Sequence, residues 1–171
     1  IELPEDLILK AYCDASFGDD PDTRRSTQGY FSMLCGAAIS WWCQGQKSTS
    51  LSTAEAELIA LADAIKEVKY IRETMTFLDL EQPRPTTIYE DNMAVVSTAH
   101  NPGKNHGKLK HVAIRVRSVQ ENLLEFQIIG VVHCTTKLMI ADILTKALGK
   151  EQFTRLAAAI LGYCELKDSE F

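Results

Sequence analysis

The sequence predicts an α/β domain built on a mixed five-stranded sheet, three strands antiparallel and two parallel, flanked by helices. Three observations carry that expectation. Three apolar, β-prone runs follow one another early in the chain, as in an antiparallel meander. Strand-like runs then alternate with helical patterns, as parallel additions to the same sheet would. The chain has 171 residues, 46% hydrophobic and 24% charged, the size and make-up of one compact domain rather than of a disordered segment.

The elements follow in order. Residues 8–13 form an apolar strand that ends at Asp14, before the turn-rich Gly18-Asp19-Asp20-Pro21-Asp22. Residues 29–35 and 37–43 read as a strand pair joined at Gly36. Residues 52–80 carry a long helical period, ended by Pro83 and Pro85. Residues 86–90 are a short strand, and residues 92–99 a helix stopped near Pro102-Gly103. Leu109, Val112, Val116, Val119 and Leu123 recur at helical spacing and give a second amphipathic helix. Residues 125–132 are a strand, and residues 138–148 and 152–161 are helices separated by Gly149. There is no internal repeat or linker, so residues 1–171 are read as one domain, with a core over about 8–149 and a C-terminal helix over about 150–162.

Composition excludes some functions. The longest apolar stretches are broken by Gly36 and Ser40 and fall short of the ~20 residues a membrane span needs. The chain begins at Ile1 with no charged-then-apolar leader, so no signal peptide is expected and the chain reads as a piece of a longer product. Five cysteines (Cys13, Cys35, Cys43, Cys134, Cys164) at irregular spacing read as small buried residues in a reducing compartment, not as disulfides or a zinc site. The net charge of −5 speaks against nucleic-acid binding globally. Its distribution does not, because residues 92–120 contain no acid at all. They hold Lys104, Lys108, Lys110, Arg115 and Arg117 with His100, His106 and His111. Lys108, His111 and Arg115 lie one turn apart on a helix side away from its apolar stripe, a patch suited to holding phosphates.

The informative acids are those that fall where water should be absent. In the helix from Ser52, Ser52 and Glu55 have capping-box spacing, which gives Glu55 a local role. At ~100° per residue, Glu57 projects into the middle of the apolar face while Glu55 projects opposite. A carboxylate so placed must be paired, protonated or bound to a cation. Asp14 and Asp91 close strands, the positions where open α/β sheets put their sites. Asp142 sits at a helix start, four residues before Lys146, and falls on the polar side, where an exposed ion pair is its simplest role. If four acids from four segments converge, they repel unless cations neutralise them. Hard oxygen ligands suit Mg²⁺ or Mn²⁺, and two such ions about 4 Å apart can drive phosphodiester cleavage.

Blocks along the chain, among them Tyr12-Cys13-Asp14-Ala15-Ser16, Tyr89-Glu90-Asp91-Asn92 and Ile140-Ala141-Asp142-Ile143, resemble the ribonuclease H domain of copia-type LTR retrotransposons. Tyr12-Cys13-Asp14-Ala15-Ser16 and the run from Gly18 to Tyr30 resemble its start. Ala38-Ile39-Ser40-Trp41 is similar to its next strand, and Leu51-Ser52-Thr53-Ala54-Glu55-Ala56-Glu57-Leu58 to its glutamate helix. Tyr89-Glu90-Asp91-Asn92 resembles its third motif, Lys110-His111-Val112-Ala113-Ile114-Arg115 its lysine-histidine helix, and Ile140-Ala141-Asp142-Ile143-Leu144-Thr145-Lys146 its last motif. The blocks run in order over residues 11–162.

The resemblance implies a ribonuclease H-like fold, two Mg²⁺ or Mn²⁺ ions, and hydrolysis of the RNA strand of an RNA–DNA hybrid during reverse transcription. It places catalytic and metal-binding roles on Asp14, Glu57, Asp91 and Asp142. Thr53, Asn92, Lys104, Lys108, Lys110, His111 and Arg115 are the expected nucleic-acid contacts. The implied setting is the polymerase region of the same polyprotein, with the domain itself monomeric, in a virus-like particle in the cytoplasm or in the nucleus. Departures from the family pattern are Met93 for a usual Gln, Ala113 for a usual Asp, and the short loop Val132-His133-Cys134-Thr135-Thr136-Lys137 before the last acid. His133, at a strand end, reads as structural. Of the adjacent Trp41 and Trp42, one is expected in the core, and Arg24 and Arg25 lie in a turn open to phosphate or solvent. Two other readings stay open: a non-catalytic module of this fold that positions nucleic acid, and a DNA nuclease or integrase.

Overall fold

The computed structural model describes Pro4 and residues 7–103 and 112–164. Five strands, β1 (Lys10–Ser16), β2 (Thr27–Leu34), β3 (Ala37–Gly45), β4 (Thr86–Glu90) and β5 (Ile129–His133), form one sheet in the order β3-β2-β1-β4-β5. The pairs β1–β2 and β2–β3 are antiparallel, and β1–β4 and β4–β5 are parallel. The helices are α1 (Thr53–Phe77), α2 (Met93–His100), α3 (Ala113–Gln120), α4 (Asp142–Thr145) and α5 (Lys150–Ile160). The sheet is the mixed α/β architecture expected.

Alternation along the central strand builds two cores. Leu9, Ala11, Cys13 and Ala15 pack with Leu58, Leu61, Ile65 and Val68 of α1 and with residues of α2 and α3. Tyr12 points to the other face, where Phe31 packs with Met139, Ile140 and Leu156. Burial on both faces is what a central strand in parallel pairing requires. Arg72 of α1 ties down the return to β4 by donating to the carbonyls of Arg84 and Gln82 and to Thr86 Oγ1. Gln82 in turn accepts from the Leu9 N–H at 2.7 Å and donates to the Leu7 carbonyl, so β1 and β4 start in register.

Several boundaries differ from the sequence reading, each for a local reason. Strand β1 does not stop at Asp14. Its antiparallel ladder with β2 continues through Asp14↔Gly29 to Ser16↔Thr27, while its parallel ladder with β4 ends at Tyr12↔Tyr89. Helix α1 ends at Phe77 rather than Leu80, because Asp79 takes a left-handed conformation (φ 59°). Leu80 N–H then reaches the Met75 carbonyl and Asp79 N–H that of Thr76, which is a Schellman closure. The last strand starts at Ile129, since Glu121–Glu125 is a π-helical turn continuing α3. The single helix expected over 138–148 is a 3₁₀ turn at Thr136–Leu138 and the four-residue α4, because Lys146 leaves helical geometry (φ −132°, ψ 146°).

Neither tryptophan is in the core. Because β3 is the edge strand, Trp41 is 64% exposed, and Trp42 is half-buried in a stack on Tyr30 with centroids 5.7 Å apart. No disulfide joins any of the cysteines, and only Cys13 and Cys134 are buried. Cys35, Cys43 and Cys164 are exposed, against expectation. Among the described residues, no helix is long and apolar enough to cross a membrane.

Gly29 lets the two faces close. A Cβ built there would lie 2.8 Å from Leu144 Cβ and 3.1 Å from the Trp42 carbonyl oxygen. The missing side chain therefore lets α4 settle on β2 opposite Asp14. Gly29→Ala should lower stability by about 1–3 kcal/mol, the usual cost of overpacking. Gly130→Ala, with nothing within 4 Å of its built Cβ, should cost far less. Paired thermal melts of the two variants check this.

Candidate carboxylate site

The edge of the central strands gathers the acids. Two residues beyond the last parallel pair, Tyr12↔Tyr89, each strand presents an aspartate: Asp14 on β1 and Asp91 after β4. Glu57 reaches them from the first turns of α1, which is capped by Ser52, whose Oγ accepts the Glu55 N–H at 3.2 Å. Glu55 accepts from the Leu51 N–H at 3.0 Å, one residue before the cap residue, and is buried rather than projecting into water. It retains the capping role the spacing suggested. Glu57 is 3% exposed, as its place on the apolar face requires.

Carboxylate oxygens of Asp14, Glu57 and Asp91 all lie within 4.8 Å of one another. Asp14 and Glu57 are buried, and Asp91 is half-buried. Asp91 is held from behind: Thr136 Oγ1 donates to its Oδ2 at 3.0 Å, and His133 Nε2–H donates to its carbonyl at 3.1 Å. His133, itself exposed, thus bonds the backbone beside the site.

Asp142 stands differently from its three partners. It is 1% exposed, not on a solvated face, because α4 packs its only turn against β2 and β1. Its Oδ1 accepts from Lys146 Nζ at 2.6 Å, so the predicted ion pair exists but is buried. The same ammonium donates to Asp14 Oδ1 at 2.9 Å, and Thr145 Oγ1 donates to Asp14 Oδ2. Lys146 therefore links Asp142 to the other three acids.

A further acid belongs here that the sequence reading did not single out. Glu90 is fully buried; it accepts the Asn92 N–H on Oε1 at 3.0 Å and the Cys13 thiol on Oε2 at 3.4 Å. The signal was available. In β4, Thr86, Ile88 and Glu90 share the inward phase, so an acid at the third position is anomalous.

Electrostatics follow from this crowding. Burial, and then the charges of Glu90, Asp14 and Asp91, push the Glu57 carboxyl well above the usual range, with Lys146 pulling the other way. Burial also raises Glu90, and Asp91 adds to it, against the lowering effect of the Asn92 N–H. Burial raises Asp142 too, to about 6, partly offset by the Lys146 hydrogen bond. Burial would lower the Lys146 ammonium, but its bonds to Asp142 and Asp14 raise it. Glu57 Oε2 is buried with no partner among the described residues. An orphaned buried oxygen within a set of carboxylate oxygens suits a hard divalent cation such as Mg²⁺ or Mn²⁺.

A groove of about 480 Å³ opens over Glu57, Asp91 and Lys146, and is also lined by Thr53, Asn92 and the exposed Met93. Thr53 and Asn92 thus sit where substrate contacts were expected. Asn92 Oδ1, however, accepts the Ala94 N–H and caps α2. Arg115 is not in this groove: it lies exposed on α3 and lines a separate cavity with Trp42 and Lys47. Lys104, Lys108, Lys110 and His111 lie outside the described residues. Arg24 and Arg25 are exposed, Arg24 with φ 54°.

No protein-family model matches the chain. It is 35% identical over 154 residues to the retrovirus-related Pol polyprotein from transposon RE1 of Arabidopsis thaliana, covering 90% of this chain and 10% of that protein. The Pol polyprotein from transposon TNT 1-94 of Nicotiana tabacum is 33% identical over 148 residues, covering 86% and 11%. The chain spans about a tenth of the length of the curated relatives it matches. Among solved structures, LC11-RNase H1 in complex with an RNA/DNA hybrid superposes with a TM-score of 0.56 at 14% identity, covering 80% of this chain and 93% of that one. RNase H1 of Halobacterium salinarum gives 0.53 at 14%, with coverage of 80% and 93%. The solved structures show a ribonuclease H-type fold, and over most of its length the chain is similar to a segment, about a tenth, of the Pol polyproteins of plant retrotransposons, as the ribonuclease H-fold domain of such a polyprotein would be.

Proposed function

We propose that the chain hydrolyses the RNA strand of RNA–DNA hybrids with the help of two divalent cations, Mg²⁺ or Mn²⁺, within a retrotransposon polyprotein that also carries the polymerase region. The observation that carries this reading is the convergence of Asp14, Glu57 and Asp91 at one strand edge, with a buried oxygen on Glu57 that has no partner among the described residues. Asp14, Glu57 and Asp91 would hold the cations, with Asp142 joining them once Lys146 shifts. Bound cations would activate water and stabilise the leaving oxygen. Thr136 and His133 keep Asp91 aimed at the site, and Glu90 fixes the turn into Asn92. Thr53 and Asn92 line the groove where a ribose 2′-hydroxyl would be read, the group that separates RNA from DNA. In this reading the activity belongs in a virus-like particle, in the cytoplasm or the nucleus, with the domain monomeric.

A second reading, a non-catalytic module that positions nucleic acid, draws on Lys146, whose ammonium already pairs with both Asp14 and Asp142. Cleavage assays separate the two. Glu57→Gln should lower the rate on a labelled hybrid roughly a hundredfold or more, the several kcal/mol that a lost metal ligand removes. Hybrid binding should survive. Glu55→Gln should keep the activity and cost about 1 kcal/mol in stability from its weakened bond to Leu51. An inactive Glu55→Gln beside an active Glu57→Gln would reverse the assignment.

Metal and pH should act together on the melting temperature. Carboxyls raised in the folded state stabilise the fold in their protonated form, below their unfolded values, and lose that contribution as pH rises through the folded ones. Here Asp142 is raised to about 6 and Glu90 to about 8. In EDTA the melting temperature should therefore fall from about pH 5 to about pH 9, less steeply in Glu57→Gln. Mg²⁺ or Mn²⁺ should restore it, by about 2.7 kcal/mol at roughly a hundred times the dissociation constant. Full cleavage in excess EDTA would sink the cation mechanism.

A further inference from the structure

The cavity that holds Arg115 is a different place from the carboxylate groove and has a different chemistry. It measures about 430 Å³, within the range of small-ligand pockets, and opens between α1 and the outer strands β2 and β3. Its aromatic wall is Trp42 stacked on Tyr30. That stack is fixed from below: Tyr30 Oη and Ser40 Oγ both donate to Glu67, the latter at 2.5 Å. Buried Gln28 donates to Asp63 at 2.8 Å and accepts from buried Gln46, which Ser50 holds in turn. The walls are thus cross-bonded before any ligand arrives.

Charge divides by depth. Asp63 and Glu67 are half-buried, whereas Lys47, Lys66 and Arg115 are exposed around the mouth. Three cations against two carboxylates make this a locally basic site on a chain of net charge −5. The inner carboxylates repel a phosphate but accept from an amino group on a base edge. An aromatic platform beside surface cations is the pattern that holds unpaired nucleotides.

The cavity also lies along the path of the proposed substrate. Asp63 is six residues after Glu57 on α1, or about 9 Å along the helix axis. The β3–α1 connection carries Lys47 and Ser48 at the cavity and leads into Thr53, the first residue of α1, at the groove.

We propose that this cavity binds one unpaired nucleotide of a strand running on from the carboxylate groove, its base against Trp42 and Tyr30 and its phosphate at Lys47 and Arg115. The assignment rests on the reading that the chain acts on nucleic acid, and its test does not require cleavage. In a Trp41→Phe background Trp42 is the only tryptophan left. Its emission is followed in EDTA as single-stranded DNA, single-stranded RNA or inorganic phosphate is added. Quenching by DNA or RNA at concentrations where phosphate alone has no effect is expected, and the stronger of the two names the strand. Trp42→Ala should weaken binding of a labelled oligonucleotide by roughly fivefold or more, measured by anisotropy. Lys47→Glu with Arg115→Glu leaves the stack intact, should also weaken binding, and keeps the test alive if Trp42→Ala fails to fold. The proposal is overturned if bound DNA and RNA leave Trp42 emission unchanged, if phosphate alone quenches equally, if no oligonucleotide binds, or if the charge-reversed pair binds as well as the parent. Hybrid cleavage in Mg²⁺, run in parallel, separates the two readings: cleavage with a silent Trp42 removes only the subsite, and a quenched Trp42 without cleavage removes only the nuclease assignment.

Discussion

Parallel pairing of β1 with β4 is the constraint on which the rest of the molecule rests. It sets two strands side by side at the centre of the sheet, buried on both faces, with their C-terminal ends at one edge. Any residue two positions past the last pair on one strand then neighbours its counterpart on the other, and here both are aspartates. Arg72 and Gln82 maintain that register from the opposite end, through hydrogen bonds to the backbone around β1 and β4. The acid cluster is thus a consequence of strand register, and α1 adds Glu57 because its first turns pass over the same edge.

Such an arrangement works against stability. Asp14, Glu57, Glu90 and Asp142 are all nearly inaccessible to water, and burial together with the charges of Glu90, Asp14 and Asp91 opposes the ionisation of Glu57. The chain relieves part of that strain internally. Lys146 leaves the helix, turns back and bonds two of the acids, while the thiol of Cys13 and the N–H of Asn92 satisfy a third. Glu57 is left with an oxygen that nothing bonds among the described residues. The most strained carboxylate is therefore also the one most open to a cation, which ties the site's electrostatic cost to its capacity to bind.

Close approach across the other face completes the site. The lack of a side chain at Gly29 admits Leu144, and with it α4, to the sheet opposite Asp14. That contact explains why Asp142 is buried although helical periodicity put it on a polar side. A four-residue helix has no face of its own, and what it packs on decides which of its residues see water. The tryptophans show the converse: alternation suggested a core position for one of the two, but an edge strand extends past the packed layers, so both keep access to solvent.

Much of this was legible in the amino-acid sequence, because alternation and helical period are local properties. They placed all five strands and the long helix in order, and put Glu57 on the apolar face, though Glu55, expected to project opposite into water, is buried as well. Glu90 was legible in the same way, as the inward phase of a short strand, though only beside its buried neighbours does it stand out. What local pattern cannot encode is which elements meet. The extension of β1 past Asp14, the turn of Lys146 onto two acids and the separation of Arg115 from the carboxylate groove are set by ladders and contacts between distant segments. Sequence determined which residues each element offers to a face. Only the tertiary structure decided which faces share an edge, because convergence of charge is a property of register and packing rather than of any one segment.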